Sequence, residues 1–457
     1  MKKPRVWIVF VLLLALVVSM GWRHGDHGSH RYFADQTYHH LTMRTLGQIP
    51  YGGADTGEVI ETIPHIRSGD AESWYAAWWA TAERVATRGH DTRDAVSRGR
   101  ALLRAHNYYR TAEFLLAPDD VRRPAAWQKQ TTVFYAGLDA LQVRYERISV
   151  SYGEHKLRAL YFPGSGDATK PLIVACGGFD STLEELYFSV VAGALERGYS
   201  VLLYEGPGQG AALREEGLHF IPNWEKPTGA VLDRFLEKHA QPSHIVLLGM
   251  SMGGYLAPRA AAFDPRINGV VAFDVLFDVA DAARSQSHGS GLIEWLHRHQ
   301  FDDVANNLLQ WRMYVDPGMR WGLQNAEWVM GVSTPSEVLP AFAPYTLQDV
   351  AGRILGDVLI LAGAEDHLVP LSQVGQFQAT LTHAKSVTTF VYGTESGGKE
   401  HCQDGAITLW QRDFFDWLLT KYASPAPVQS KLTIAPFATA PAAPAPRGTT
   451  PSQSRSW

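Results

Sequence analysis

Residues 244–262 read HIVLLGMSMGGYLAPRAAA. An apolar run gives way to Gly249-Met250-Ser251-Met252-Gly253 and then to alanine-rich text. The run reads as a buried strand, and the alanine-rich continuation as a helix. A serine set between two glycines at a strand-to-helix turn is the pattern of a nucleophile elbow. The glycines are there for a steric reason. So tight a turn leaves no room for a Cβ on either side, and the serine itself must take a strained backbone conformation. Its hydroxyl is then held out at the C-terminal edge of a sheet, with a helix N-terminus aimed at the same point. A chance G-x-S-x-G in 457 residues is not rare, so the weight rests on the strand-turn-helix context and on partners found elsewhere.

Text on either side repeats the strand-helix alternation. Strands are expected at Pro171–Ala175 (PLIVA), Tyr199–Tyr204, Ile267–Phe273, Val358–Ala362 and Ser386–Val391. Helices are expected at Ser181–Glu196, Gly229–His239 and Ala406–Leu419. Continuous apolar strands alternating with helices predict an α/β fold with a mostly parallel sheet covered on both faces. Ligands bind such sheets at the C-terminal strand ends. Two regions break the pattern. Trp74, Trp78, Ala82 and Val85 share one helix face, and two more helical stretches, 91–116 and 125–141, follow without strands. Residues 283–345 are helical or irregular and rich in aromatics, too long for a simple connection. Both are expected to roof the site. The organisation is then a signal anchor or signal peptide at 1–22, a mostly irregular connector at 23–70 and an N-terminal helical cap at 71–144. A catalytic domain at 145–421 carries the helical insertion 283–345, and a Pro/Ala-rich disordered tail fills 422–457.

Composition narrows the class. The net charge is −5 with mixed signs, so no nucleic-acid partner is expected. Fourteen Trp, 18 Tyr and 19 Phe exceed what a core alone needs and point to an apolar pocket for a small-molecule substrate. His24, His27, His30, His39 and His40 crowd an irregular polar stretch without metal-ligand spacing, so neither a metal nor another cofactor is expected. At the N-terminus, Lys2, Lys3 and Arg5 precede an apolar run from Val6 to Met20 with no A-x-A-like cleavage site after it. This predicts export, with an uncleaved membrane anchor and the bulk of the chain outside the cytoplasm, or secretion if the segment is removed. Cys176 and Cys402 can be a disulfide or two free thiols. Oligomeric state is open.

A serine hydroxyl needs a base, and the base needs an acid to orient it. After an elbow the order is serine, acid, histidine. Asp366, just past the strand Val358–Ala362, is the expected acid, with Glu365 and Asp274 as alternatives. His401, between the last strand and the last helix, is the expected base; His367 and His383 are poorly placed. The developing oxyanion needs two backbone N–H groups, expected from Met252 and from Phe179 in the Cys176–Asp180 loop. The EGPGQG loop at 205–210 reads as a tight turn under the site. Tyr108 and Tyr109 on a cap helix are candidate substrate-binding residues.

The pieces GGFDSTLEELYF (177–188), YEGPGQG (204–210), GMSMGGYLAPRAAAFDPRI (249–267), AGAEDHLVP (362–370) and EHCQDG (400–405) resemble the α/β-hydrolases of the 2,6-dihydropseudooxynicotine hydrolase and yellowish-green pigment hydrolase group. NYYRTAEFLL (107–116) resembles that group's N-terminal cap. The resemblance covers roughly Ala71 to Leu419. It implies the α/β-hydrolase fold, the triad Ser251, Asp366 and His401, and hydrolysis of esters or of carbon–carbon bonds in β-dicarbonyl compounds. Cys176 departs from the pattern, since many relatives have histidine there. The N-terminal run and the Pro/Ala tail are not part of it. Two other readings stand beside it: a prolyl-oligopeptidase-like peptidase, for which no propeller-like repeats are present, and a non-catalytic membrane-tethered binding protein.

Overall fold

The computed structural model describes residues 31–286 and 289–422. The expected anchor at 1–22 and nearly all of the expected tail lie outside them. Eight strands form one sheet in the order β1-β2-β4-β3-β5-β6-β7-β8. They are β1 (Glu146–Tyr152), β2 (His155–Phe162), β3 (Leu172–Cys176), β4 (Val201–Tyr204), β5 (Ile245–Met250), β6 (Gly269–Phe273), β7 (Asp357–Gly363) and β8 (Ser386–Tyr392). β2 runs antiparallel to β1 and β4, and every other pairing is parallel. β3 through β7 are buried at every residue, which is why their text is continuously apolar rather than alternating. The apolar side chains of the two faces form two cores, one under Trp224 and Tyr255, the other under Phe188, Trp410 and Phe414.

Among the described residues five α-helices precede the sheet: α1 (Gln36–Gly47), α2 (Thr56–Thr62), α3 (Ala71–Asp91), α4 (Ala95–Glu113) and α5 (Arg123–Ala140). The expected irregular connector at 23–70 therefore needs correction, because α1 and α2 lie within it. The side chain of Asp35 caps α1, accepting from the N–H groups of Thr37 at 2.9 Å and Tyr38 at 3.1 Å. The helix buries Tyr38, Leu41, Thr42 and Thr45, a helical spacing. Only one of these four is aliphatic, so a search for apolar periodicity passes over it. Tyr38 and Leu41 complete a third core with Trp74, Trp78 and Tyr108.

Between β6 and β7 the chain leaves the sheet and builds α6 (Val279–Gln286), α7 (Ser290–Arg298), α8 (Asp302–Val315), α9 (Pro317–Met330) and α10 (Pro335–Phe342). This is the aromatic-rich insertion. It meets the N-terminal helices where Phe114 stacks on Trp321, ring centroids 4.8 Å apart. The last helix, α11 (Ile407–Tyr422), returns to cover the sheet.

Trp74 ties α1 to the helical layer. Its ring meets Phe33, Tyr38 and Trp78, and its Nε1–H donates to the Thr111 carbonyl at 2.6 Å. Trp74→Ala should cost about 3–5 kcal/mol in a denaturant titration, as expected for a fully buried aromatic replaced by alanine. A cost under about 1 kcal/mol would mean that α1 does not depend on this contact.

Candidate active site

Ser251 sits between β5 and the helix Gly253–Ala261 with φ 59°, a left-handed conformation unusual for serine. Its N–H donates to the Phe273 carbonyl at 3.0 Å, which fastens the turn to β6. A Cβ on Gly249 would meet the Gly253 carbonyl oxygen at 2.0 Å. One on Gly178 would meet Ser251 Cβ at 2.8 Å and the Met252 nitrogen at 3.0 Å. Glycine is thus required in the turn and also in the loop that faces it.

Ser251 Oγ lies 2.9 Å from His401 Nε2, and His401 Nδ1 lies 2.7 Å from Asp366 Oδ2. Asp366 Oδ1 accepts from the N–H groups of Leu368 at 2.7 Å and Val369 at 2.9 Å, which fixes the carboxylate. Burial opposes the imidazolium, but the Asp366 charge outweighs it and raises the His401 pKa well above its ordinary 6.5. Glu365 turns away to Lys399 at 2.8 Å and Thr394 at 2.7 Å. His383 faces the Gly352 carbonyl at 2.7 Å, far along the chain from this turn. His367 stands nearby, with its ring 6.3 Å from that of His401.

Asp274 also reaches the histidine. Its Oδ2 lies 3.4 Å from His401 Nδ1 and accepts the N–H of Cys402, while Oδ1 accepts from Gln403 Nε2 at 3.3 Å. Asp274, Cys402 and Gln403 all have positive φ, so the two loops meet in strained backbone held by this one carboxylate. Burial and the Asp366 charge push the Asp274 pKa up to about 6. Two acids therefore flank one imidazole: Asp366 at hydrogen-bond distance, and Asp274 holding the loop that carries it. Asp274, His401 and Cys402 also offer metal-ligating atoms within 4.8 Å of one another. A metal there would compete with the contacts just described. Cys176 is a buried free thiol, and Cys402 is free and half-buried.

The loop after β3 is pinned from behind. Gln209 Nε2 donates to the carbonyls of Gly177 at 2.7 Å and Gly178 at 3.1 Å, and the Gly178 N–H donates to Ser181 Oγ at 2.9 Å. Asn325 of α9 donates to the Phe179 carbonyl at 3.4 Å. The 205–210 turn thus does more than support the site from below, since its glutamine holds the facing loop. Arg44 on α1 pairs with Asp180 at 2.9 Å and Glu185 at 2.6 Å, and Arg110 of α4 pairs with Glu185 at 2.7 Å. Burial resists the charge on Asp180, but Arg44 and then Arg110 prevail and lower its pKa. None of this was legible in the sequence. Arg44 stood in text read as a connector, and no short motif carries its pairing.

Ser251, Met252, Phe179 and His401 line a cavity of about 1750 Å³ roofed by α1 and the insertion. Its wall is polar near Arg44, Asp180 and Asp404, and apolar along Leu292, Leu308, Trp311 and Phe342. Tyr108 and Tyr109, expected at the substrate, are not in this wall. The Tyr108 hydroxyl donates to Glu58 at 2.8 Å and accepts from the Asp55 N–H at 2.9 Å, while Tyr109 packs on Trp79. The helix is buried on nearly all sides here, so both rings are spent inside the cap.

The chain belongs to the alpha/beta hydrolase family, whose model matches residues 172–394. It is an enzyme, a hydrolase. It is similar to the hydrolase acrC of Aspergillus aculeatus, with 35% identity over 421 residues, 85% of this chain and 97% of that protein. It is similar also to the 20-hydroxy-prefusarin hydrolase FUS2 of Gibberella moniliformis, with 32% identity over 415 residues, 86% of this chain and 98% of that protein. Among solved structures, 2,6-dihydroxy-pseudo-oxynicotine hydrolase superimposes with a TM-score of 0.64 at 21% identity, covering 82% of this chain and 95% of that one, and so shares the fold. The group resemblance read from the motifs agrees with these matches.

Two outcomes follow from the geometry. The Asp366 carboxylate stabilises the imidazolium, so more alkaline solution is needed to free Nε2. The rate of Ser251 labelling by a fluorophosphonate should rise with pH around a midpoint above 6.5. Asp366→Asn should slow labelling and shift that midpoint down; an unmoved midpoint would show that Asp366 does not set it. Arg44→Met leaves the buried Glu185 and the half-buried Asp180 short of a partner. It should cost about 3–5 kcal/mol of stability, and it should slow labelling in protein that is still folded by circular dichroism.

Proposed function

We propose that this chain is a serine hydrolase in which Ser251 is the nucleophile, His401 the general base and Asp366 its orienting acid. The contact of Ser251 Oγ with His401 Nε2 at 2.9 Å carries the reading. His401 Nε2 takes the Ser251 proton as Oγ bonds to a substrate carbonyl carbon. The oxyanion accepts from the N–H groups of Met252 and Phe179, held in place by Gly178 and Gln209. When the tetrahedral species collapses, the leaving group departs and His401 returns the proton to it. The leaving group is an alcohol from an ester. From a β-dicarbonyl compound it is an enolate, whose charge the second carbonyl delocalises. Water deprotonated by His401 then attacks the acyl-enzyme, and the acid leaves with Ser251 restored.

A cavity of about 1750 Å³ exceeds the roughly 300–1,000 Å³ of ordinary small-molecule sites. Its long apolar wall supports a bulky, apolar or aromatic acyl substrate. The similarity to a protein named for action on 20-hydroxy-prefusarin supports a small molecule over a peptide. A peptidase reading finds no propeller among the described residues, where the elements before β1 are helices. We further propose that residues 1–22 direct export and hold the chain to a membrane, on the strength of the basic residues and apolar run quoted above. Among the described residues no helix is long and apolar enough to cross one.

The test is a panel of aryl esters, short acyl esters and β-diketones, run beside labelling by a fluorophosphonate. Ser251→Ala should lose labelling and at least about a thousandfold in turnover. Equal labelling of the two proteins would remove the nucleophile, and turnover of esters alone would remove carbon–carbon cleavage.

A further inference from the structure

The insertion presents an unusual surface. Six of the sixteen large apolar side chains exposed among the described residues fall between 295 and 315: Trp295, Phe301, Val304, Trp311, Tyr314 and Val315. Scattered apolar side chains need no explanation, but a concentration of this kind does. Val304, Leu308, Trp311 and Val315 recur at four, three and four residues along α8, so they share one face. Trp295 of α7 extends the strip by stacking on Phe301, with ring centroids 6.1 Å apart. Tyr314, beside the strip, is 81% exposed.

The strip lies at the mouth of the catalytic cavity. Trp311 and Val315 line the cavity and are also about half exposed, so the cavity reaches the surface along this helix. The described chain also begins here. Arg31, Ala34 and Asp35 line the same cavity beside Asp316 and Pro317. A Cβ added to Gly318 would meet Thr37 Oγ1 at 2.6 Å, so the start of α1 packs on the turn that directly follows Tyr314 and Val315. Upstream, Lys2, Lys3 and Arg5 precede the apolar run from Val6 to Met20. Met20 and Arg31 are eleven residues apart, which bounds their separation at about 40 Å even for fully extended chain.

We propose that the strip from Trp295 to Val315 docks on the surface of a lipid bilayer, with the cavity mouth against it. The inference rests on the reading of residues 1–22 as a membrane anchor. A bilayer holding that run lies within tether reach of the strip. Tryptophan and tyrosine suit the interface, with an apolar ring body and a polar edge, and aliphatic side chains between them enter the acyl boundary. Arg298 and Arg312 balance Asp302 and Asp303 along the strip, so docking draws on apolar burial rather than on anionic headgroups. The functional consequence is a route for substrate. An apolar acyl compound dissolved in the bilayer passes into the cavity along Trp311, Leu308 and Leu292 without crossing water.

The experiment uses the full chain with an environment-sensitive fluorescent amino acid in place of Tyr314 or of Leu355. Leu355 is 68% exposed and stands just before β7, at the sheet end opposite Ser251. Each protein is mixed with phosphatidylcholine vesicles carrying nitroxide-labelled acyl chains, and binding is followed by co-sedimentation. The expected result is sedimentation with vesicles, with a blue shift and quenching of the probe at 314 and neither change at 355. Sedimentation in which both probes behave alike would overturn the docking strip and leave the anchor standing. Failure to sediment would overturn both. A blue shift at 314 that needs no lipid and grows with protein concentration would assign the strip to a second copy of the chain instead.

Discussion

The left-handed backbone at Ser251 is the constraint on which the rest of the site depends. A non-glycine residue in this region costs on the order of 1–3 kcal/mol and persists only where its surroundings leave no alternative. Here the Ser251 N–H is tied to the Phe273 carbonyl of β6. Gly249 lets the following helix close onto the strand, and Gly178 lets the loop after β3 press against the serine. Relaxing the turn would break a backbone bond to β6 and separate two packed segments. The strain is therefore held by the same contacts that bring a candidate oxyanion loop to the serine. Aiming the hydroxyl and assembling the loop opposite it are one packing problem.

A second layer of constraint comes from charge. Asp180 follows directly on Phe179 and is half-buried, and Glu185, five residues on, is buried. A buried carboxylate without partners is too costly to keep. Arg44 from α1 and Arg110 from α4 meet this need, and Glu185 is shared between them. The N-terminal helices thus do not merely lie over the sheet. They supply the cations without which the loop after β3 would hold an uncompensated charge. On the other side of the site Asp274 has a parallel role, binding the Cys402 N–H and the Gln403 amide so that His401 faces Ser251. Each loop around the serine is braced by a carboxylate reaching across to another part of the chain.

These observations explain which parts of the protein could be read from its sequence. The sheet was legible because β3, β5, β6 and β7 are buried on both faces and so are written as unbroken apolar runs. Asp366 could be named as a candidate from chain order because it stands just past β7, whose text is such a run; His401 could be named only from its place between the half-exposed β8 and α11. Arg44 was out of reach. Its partners lie 136 and 141 residues away, and its helix buries tyrosine, threonine and histidine with a single leucine among them. Tyr108 and Tyr109 failed for the opposite reason. They were conspicuous as text, but helix α4 is covered on almost every side, so prominence in sequence said nothing about which way they faced. Asp274 could be noted as an acid after β6, but its second use as a brace for the histidine loop depends on backbone conformations that carry no motif.

The two roofs differ in how they can change. The N-terminal roof is bound to the machinery by Arg44 and Arg110, so a substitution there acts on the loop beside Ser251 as well as on the pocket. The insertion touches the machinery more lightly, through Asn325 on the Phe179 carbonyl and the ring of Phe342 near that of Phe179. Most of its cavity wall is aliphatic and aromatic side chains that bond nothing in the site. Apolar walls of this kind tolerate exchange of one side chain for another of similar volume at about 1.5 kcal/mol or less. Such a wall can change shape while the serine, histidine and acids stay where they are. Under the proposed function, α7 to α10 are therefore where a change of cavity shape disturbs Ser251 and the loops around it least.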